Sequence, residues 1–152
     1  MVNGLASASD YQASDRTATL TSPMGRKFSA TVDEKGNLAE LRIGGLAPQT
    51  LSYDPQGRLL STEQGLAGSL RRYSYSYNSD GWLSKSVDPL GTTSSFSYDR
   101  AGRMVQLNTP DGRKIEFEYD AGGNITQIIP SGRAGHKFEF NAVNLTTKYS
   151  PP

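Results

Sequence analysis

One line of sequence recurs through this 152-residue chain and constrains its fold more than any other feature. In the best copies an aromatic residue precedes an acidic or amide residue, and a glycine follows three positions later. The four best copies begin at Tyr53, Tyr77, Tyr98 and Tyr119, and worn copies begin at Tyr11, Val32 and Phe140, so that the steps are 21, 21, 24, 21, 21 and 21 residues. Periods of this length are typical of repeat proteins, in which each unit buries its apolar side chains against its neighbours. We therefore interpret residues 1–152 as one array of about seven repeats, degenerate over 1–30 and well formed over 31–150.

Each period contains two turn signals. In Asp54-Pro55-Gln56-Gly57 the acidic residue, proline and glycine occupy the first, second and fourth positions of a type I turn. The glycine is expected in the left-handed conformation of a bulged hairpin. A Pro-x-Gly signal follows in the same period, starting at Pro23, Pro89, Pro110 and Pro130. Two tight turns per period leave two strands of about seven residues, which predicts a meander of hairpins.

The residues of the repeated line are accordingly assigned structural roles. The aromatic residue faces neighbouring strands, the acidic or amide residue caps the turn, and the glycine supplies its backbone geometry. In the four best copies these positions are Tyr53, Asp54, Gly57, Tyr77, Asn78, Gly81, Tyr98, Asp99, Gly102, Tyr119, Asp120 and Gly123.

The strands themselves are predicted from period-two alternation, as in 115–119 and 138–140. The second strand of each repeat alternates less cleanly, because apolar residues such as Met104 and Leu107 or Ile125 and Ile128 are spaced by three. This spacing indicates a β-bulge. No stretch has the amphipathic pattern and length of a helix, so the fold class is all-β, a curved meandering sheet of antiparallel hairpins. We expect the open edges and aromatic stripe of such a sheet to cause self-association, unless it closes into a small barrel.

Charge and composition exclude several classes of protein. Sixteen basic and fifteen acidic residues give a net charge of +1, without the basic run typical of a binder of nucleic acid or anionic membranes. The chain has no cysteine for disulfides or thiolate metal sites, and its single histidine, His136, predicts no metal site. No apolar run is long enough to span a bilayer, and the first twenty residues lack the features of a signal peptide. We predict no cofactor, no metal and no membrane insertion.

The line Y-D-x-x-G-[RN]-[LMI], repeated with an intervening P-x-G, resembles the YD (Rhs) repeat of bacterial Rhs proteins. Similar repeats occur in Tc-toxin shell components and in teneurins. The resemblance implies a ribbon of strands that spirals into a hollow β-shell around a C-terminal toxin, or an extracellular adhesion module. Seven repeats are fewer than a closed shell needs, so we expect a structural, non-catalytic shell segment of a polymorphic toxin. The expected partners are the remainder of the shell and the enclosed toxin, and the expected location is secreted or cell-surface, within a larger bacterial protein.

Two features suggest chemistry beyond a wall. Asp88-Pro89-Leu90-Gly91 resembles the self-cleaving segment of Rhs cores, but it lies in the register of the Pro-x-Gly turns, which favours a plain turn. The carboxylates of Asp33, Asp54, Asp99 and Asp120 recur once per repeat at turns. Turn capping is favoured for them, because general acid–base catalysis needs groups that converge on one bond. We therefore predict no enzyme.

An alternative function is carbohydrate binding. Tyr73, Tyr75 and Trp82 form the densest aromatic cluster, beside the one repeat that carries three extra residues. Aromatic rings with a polar group suit stacking on sugars, although rings at strand spacing more often join neighbouring strands. The sequence leaves both interpretations open and favours the structural one.

Overall fold

The computed structural model describes residues 7–66 and 68–152, and these residues form strands, turns and no helix. The strands have five to seven residues, slightly shorter than predicted, because five-residue turns occupy much of each period. In chain order they are β1 (Ala8–Gln12), β2 (Thr17–Thr21), β3 (Lys27–Val32), β4 (Leu38–Ile43), β5 (Gln49–Tyr53), β6 (Leu59–Gln64), β7 (Arg71–Tyr77), β8 (Leu83–Val87), β9 (Thr93–Tyr98), β10 (Met104–Asn108), β11 (Lys114–Tyr119), β12 (Ile125–Pro130), β13 (His136–Phe140) and β14 (Thr146–Ser150).

The sheet follows the order of the sequence, and its strands are antiparallel. This confirms the predicted all-β meander of hairpins. β1 and β14 each have one neighbouring strand, so the sheet is open, as predicted, and the alternative of a closed barrel does not hold. The chain divides into two compact units, residues 1–74 and 75–152, and the division falls within β7.

A β-bulge recurs in the second strand of the hairpins. Tyr98 lies opposite Met104 and Ser97 opposite Gln106, which leaves Val105 without a partner. The same shift occurs after Leu38 in β4, after Leu59 in β6, after Ile125 in β12 and after Thr146 in β14. The β-bulge predicted from the spacing of three between apolar residues is therefore present. The extra residue at the bulge returns the next apolar side chain to the same face of the sheet.

Each unit has one apolar face and one polar face. In the second unit the residues Phe96, Leu107, Ile115 and Pro130 lie opposite one another across four strands. On the other face Ser95, Asn108 and Lys114 form a comparable polar row. The first unit repeats this division, with Leu20, Phe28 and Ile43 in one row and Thr19, Ser29 and Arg42 in another.

The described residues contain no buried apolar side chain. Ser61 alone among them is buried, at 5% exposure, and its hydroxyl lies 2.8 Å from the hydroxyl of Ser52. The predicted apolar stripe is therefore half-covered by its neighbours within the sheet and is not enclosed.

Candidate functional site: the turns and the contacts between repeats

The turns that follow Val32, Tyr53, Tyr77, Tyr98, Tyr119 and Phe140 have one recurring geometry, and we call these segments the lead turns (33–37, 54–58, 78–82, 99–103, 120–124 and 141–145). In the turn of 99–103, the Asp99 N–H donates to the Arg103 carbonyl at 2.9 Å, and the Gly102 N–H donates to the Asp99 carbonyl at 3.1 Å. The glycines of the first five turns have φ between +79° and +88°. Asn144 replaces glycine in the last turn at φ +61°. This is the predicted type I turn with a bulge.

The first side chain of each lead turn holds the turn closed. Asp99 Oδ1 accepts the N–H groups of Ala101 at 2.9 Å and Arg103 at 3.0 Å, while its Oδ2 accepts Arg103 Nε at 2.7 Å. In the turns of Asp33, Asp54 and Asp120 the side chain of the fifth residue likewise donates to Oδ2. Asn78 and Asn141 cap their turns through the amide oxygen.

These hydrogen bonds keep the turn carboxyls ionised. The side-chain amide of Asn37 lowers the pKa of Asp33, and that of Asn124 lowers the pKa of Asp120. The backbone N–H of Arg103, followed by its guanidinium, lowers the pKa of Asp99. Each of these carboxylates is engaged by its own turn, which is the arrangement of a cap rather than of two acids that share a proton.

The turns of 22–26, 88–92 and 109–113, which we call the proline turns, share this backbone. The Gly91 N–H donates to the Asp88 carbonyl at 2.9 Å, and Asp88 Oδ2 accepts the Thr92 hydroxyl at 2.6 Å. Asp88 therefore caps a turn, as its register predicts. The fourth Pro-x-Gly signal differs, because the Ser131 N–H donates to the Lys114 carbonyl and the Arg133 N–H to the Pro130 carbonyl.

The fifth residue of a lead turn contacts the next repeat. The rings of Trp82 and Tyr98 lie 5.4 Å apart with a tilt of 49°. The Arg103 guanidinium lies 4.8 Å from the centre of the Tyr119 ring, and its Nη1 donates to the Asp120 carbonyl at 3.0 Å. One repeat further on, Asn124 Nδ2 donates to Asn144 Oδ1 at 2.9 Å. These contacts were not predicted from the sequence. The one feature of the sequence that could have indicated them is the recurrence of long or amide side chains at the fifth position of the lead turns.

The lead tyrosines make the reciprocal contact with the repeat before them. The Tyr53 hydroxyl donates to the Leu38 carbonyl at 3.0 Å, and the Tyr119 hydroxyl donates to the Met104 carbonyl at 2.7 Å. Both acceptors lie 15 residues earlier, in the first position of the preceding second strand. The lead aromatic thus joins two repeats with its ring and with its hydroxyl.

The three residues proposed for carbohydrate binding lie in different surroundings. Tyr73 belongs to the first unit, lies opposite Thr62 and is 46% exposed. Tyr75 and Trp82 belong to the second unit and are half-buried. Trp82 packs against Tyr98 and over Gly102, where an added Cβ would lie 3.0 Å from the indole Cζ2. Of the three, Tyr73 has the most accessible ring.

The remaining candidate groups have ordinary partners. His136 Nδ1 and the Tyr149 hydroxyl are 2.7 Å apart. Within the described segments, no three residues among His, Asp and Glu are grouped as metal ligands would be. No helix of the described chain is long and apolar enough to cross a membrane.

The comparisons with known proteins agree with this geometry. A family model described as the teneurin YD-shell matches residues 1–152, and the chain belongs to this family. Among solved structures, TcdB2-TccC3-Cdc42 is similar over 79% of this chain at 17% identity and a TM-score of 0.67. The Tc holotoxin pore of Photorhabdus luminescens is similar over 81%, at 18% identity and a TM-score of 0.67. This chain spans 7% of the length of each of those chains. A search among curated proteins found no match.

Proposed function

We propose that this chain is a non-catalytic wall segment of a YD shell that encloses a protein cargo, a toxin in the bacterial members. The observation that carries the proposal is the exposure of its apolar side chains to solvent. Leu20, Phe28 and Ile43 form one row of the first unit, yet they are 49%, 39% and 44% exposed. A sheet that covers its own apolar side chains so poorly needs further protein against it. Membership of the YD-shell family supports shell repeats as that protein.

A wall function also agrees with the chemistry of the turns. The recurring carboxylates are held by hydrogen bonds within their own turns, so they are poor candidates for proton transfer to a substrate. The regular contacts between repeats supply what a wall requires, which is a fixed spacing between successive hairpins. As part of such a shell, the chain would be secreted or displayed at the cell surface within a larger protein.

Hydrogen exchange tests the proposal, by comparing the isolated chain with the same residues inside the longer shell protein. We expect the amides of β1 and β14 to exchange rapidly in the isolated chain and to be protected in the shell, because each has a free edge here. The amides of β11, which has two neighbouring strands, serve as the internal control. Equal protection of β1 and β14 in both proteins would contradict a wall function.

The isolated chain should also associate with itself. Free strand edges and an uncovered apolar face both favour association. Light scattering over a concentration series should therefore show a mass above that of the monomer, 16.5 kDa. A strictly monomeric chain at high concentration would show that these surfaces need no cover.

Carbohydrate binding is the alternative function. If Tyr73 stacks on a sugar, a glycan array should show saturable binding that Tyr73→Ala removes while the melting temperature stays unchanged. A wall segment should show no saturable binding. The second result is the one we expect, since Trp82 of the same cluster is packed against Tyr98.

A further inference from the structure

A cavity of about 570 Å³ lies in the second unit, beside two successive connections between strands. Its walls come from the proline turn of 109–113, the start of β11, the segment after β12 and the start of β13, and Pro152 forms one further side. Neither the lead turns nor their contacts between repeats take part in this cavity. Two of its lining residues, Ile115 and Pro130, belong to the apolar row of the second unit, so the cavity adjoins the apolar face described above.

The cavity is rich in cationic side chains. Arg113, Lys114 and Arg133 all line it. Arg113 pairs with Asp111, but the two side chains are 76% and 50% exposed, and Lys114 pairs with Glu116 at 2.8 Å, with both also well exposed. Such surface pairs are weak and exchange readily for another anion. Arg133 is exposed and has no side-chain hydrogen bond or ion pair with any described residue, so its charge is available.

An aromatic and apolar wall adjoins these cations. A groove of about 430 Å³ is lined by Ile115, Ile128, Pro130, His136, Phe138 and Tyr149, and it shares Ile115, Pro130 and His136 with the cationic cavity. The Tyr149 ring is 51% exposed and stacks on His136, with centres 5.9 Å apart and planes 6° apart. Its other contact is with Phe138, at 5.2 Å. A flat apolar surface therefore adjoins the cavity that Arg113 and Arg133 line, whereas the Lys114 ammonium pairs with Glu116 on the polar face.

We propose that this pocket binds a small aryl oxyanion. Its ring would lie against the wall of His136 and Tyr149, and its sulfate, phosphate or carboxylate group would bind to Arg133, assisted by Arg113. Guanidinium groups bind planar oxyanions through paired hydrogen bonds, and aromatic walls stack on planar rings. The concavity beside Lys27 and Arg42 in the first unit is a poorer candidate, because no aromatic residue lines it.

The experiment titrates naphthyl sulfate into the whole chain and follows the amide signals by NMR. We expect saturable binding that weakens with added salt, with shift changes confined to residues 109–115, 128–138 and 149. Two matched probes separate the contributions of ring and charge: neutral naphthalenemethanol and inorganic sulfate. Each should bind at least about tenfold more weakly, because naphthalenemethanol loses the hydrogen bonds between charged groups and inorganic sulfate loses the ring that lies against the aromatic wall. Equal affinity for either probe would overturn the assignment of an aryl oxyanion.

Two variants test the role of Arg133. Arg133→Gln should weaken binding of naphthyl sulfate about tenfold without changing the fold, because its side chain has no partner to lose. Arg100→Gln is the matched control, since Arg100 is an exposed arginine within the lead turn of 99–103. It should bind naphthyl sulfate as the parent does. Unchanged affinity in Arg133→Gln, or an equal loss in Arg100→Gln, would show that attraction is non-specific and that the pocket is not a site.

Discussion

The lead turns and the proline turns have the same backbone but different surroundings. An added Cβ at Gly25, Gly91 or Gly112 of the proline turns, or at Gly36 or Gly123 of two lead turns, would meet no atom within 4 Å, whereas at Gly102 of the lead turn of 99–103 it would meet Trp82 at 3.0 Å. Residues of the lead turns bind the neighbouring repeats through rings, guanidinium groups and amides. The difference shows that turn geometry alone forms a hairpin, and that side chains of the lead turns join one hairpin to the next.

The one repeat of unusual length supports this difference between the lead turns and the rest of each hairpin. The lead turn of 54–58 keeps its five residues although its period has three more than the others. β6, β7 and the connection between them are each one residue longer than β10, β11 and their connection. The extra residues therefore lengthen the hairpin at the end opposite the lead turn. The spacing of the contacts between repeats is least disturbed at the lead turns themselves.

Acid should have the largest effect, because it acts on all the turn carboxyls together. The pKa values of Asp33, Asp88, Asp99 and Asp120 are lowered by hydrogen bonds, and Arg113 and Thr109 lower that of Asp111 to about 2. The stabilisation from such groups is complete above the pKa of the unfolded chain, near 3.8, and is lost as the pH falls through the folded value. Thermal melts should therefore show a steep fall in Tm between about pH 4 and about pH 2.

Asparagine variants sharpen the acid experiment. Asp120→Asn should keep its turn, as Asn78 and Asn141 do, but should reduce the fall in Tm at low pH. Asp80→Asn is the control, because Asp80 is exposed and Asn78 caps its turn. An unchanged acid profile in Asp120→Asn would mean that the carboxylate contributes no more than an amide.

A pair of glycine variants compares the two classes of turn directly. Gly102 and Gly112 have nearly equal φ values of +79° and +81°, so alanine brings similar backbone strain, about 1–2 kcal/mol. Gly102→Ala adds contact with Trp82, for a total of about 2–4 kcal/mol. Urea denaturation should show the larger loss for Gly102→Ala. Equal losses would mean that the indole moves aside freely from Gly102.

Truncation of two aromatic side chains gives the next effect. Trp82→Ala removes the contact with Tyr98 and should lower the free energy of unfolding by about 2 kcal/mol, less than for a fully buried ring. Tyr73→Ala should cost about 1 kcal/mol or less, since Tyr73 is 46% exposed. The two losses can be compared by urea denaturation followed by circular dichroism. A larger loss in Tyr73→Ala would reverse the assignment of which ring joins the repeats.

Removal of a single hydroxyl should have the smallest effect. Tyr119→Phe loses the hydrogen bond to the Met104 carbonyl and should destabilise the chain by about 1 kcal/mol. Tyr98→Phe should stay within about 0.5 kcal/mol of the parent, because the Tyr98 hydroxyl has no hydrogen bond within the described residues while its ring contact is retained. Equal melting curves for the two variants would show that this hydrogen bond adds nothing to the contact between repeats.

Much of the fold could be predicted because its determinants are local. A turn such as 99–103 is specified by five adjacent residues, and the bulge at Val105 by the spacing of Met104 and Leu107. The contacts of Trp82 and Arg103 could not be predicted, because different side chains occupy the same repeat position and bind in different ways. The first turn also departs from the pattern: it spans 13–16, with Arg16 at φ +56°, and lacks the glycine that would mark it.

The apolar face shows the limit of pattern analysis most clearly. Alternation along β11 correctly assigns Ile115 and Phe117 to one face of the sheet. It cannot tell whether a second layer covers that face, and in this chain the described residues leave it half-exposed. The pattern of a core is therefore identical to the pattern of a surface that another protein segment covers.

Pairing between sequence neighbours has a consequence for synthesis. A strand that leaves the ribosome finds one of its partners already made, about ten residues upstream, so that folding can keep pace with elongation. The risk in such a process is that a hairpin pairs with the wrong repeat, because every lead turn forms much the same backbone hydrogen bonds. Trp82, Arg103 and Asn124 each fit a different neighbour, the ring of Tyr98, the ring of Tyr119 and the amide of Asn144. These differences favour the correct partner over the next one along the nascent chain.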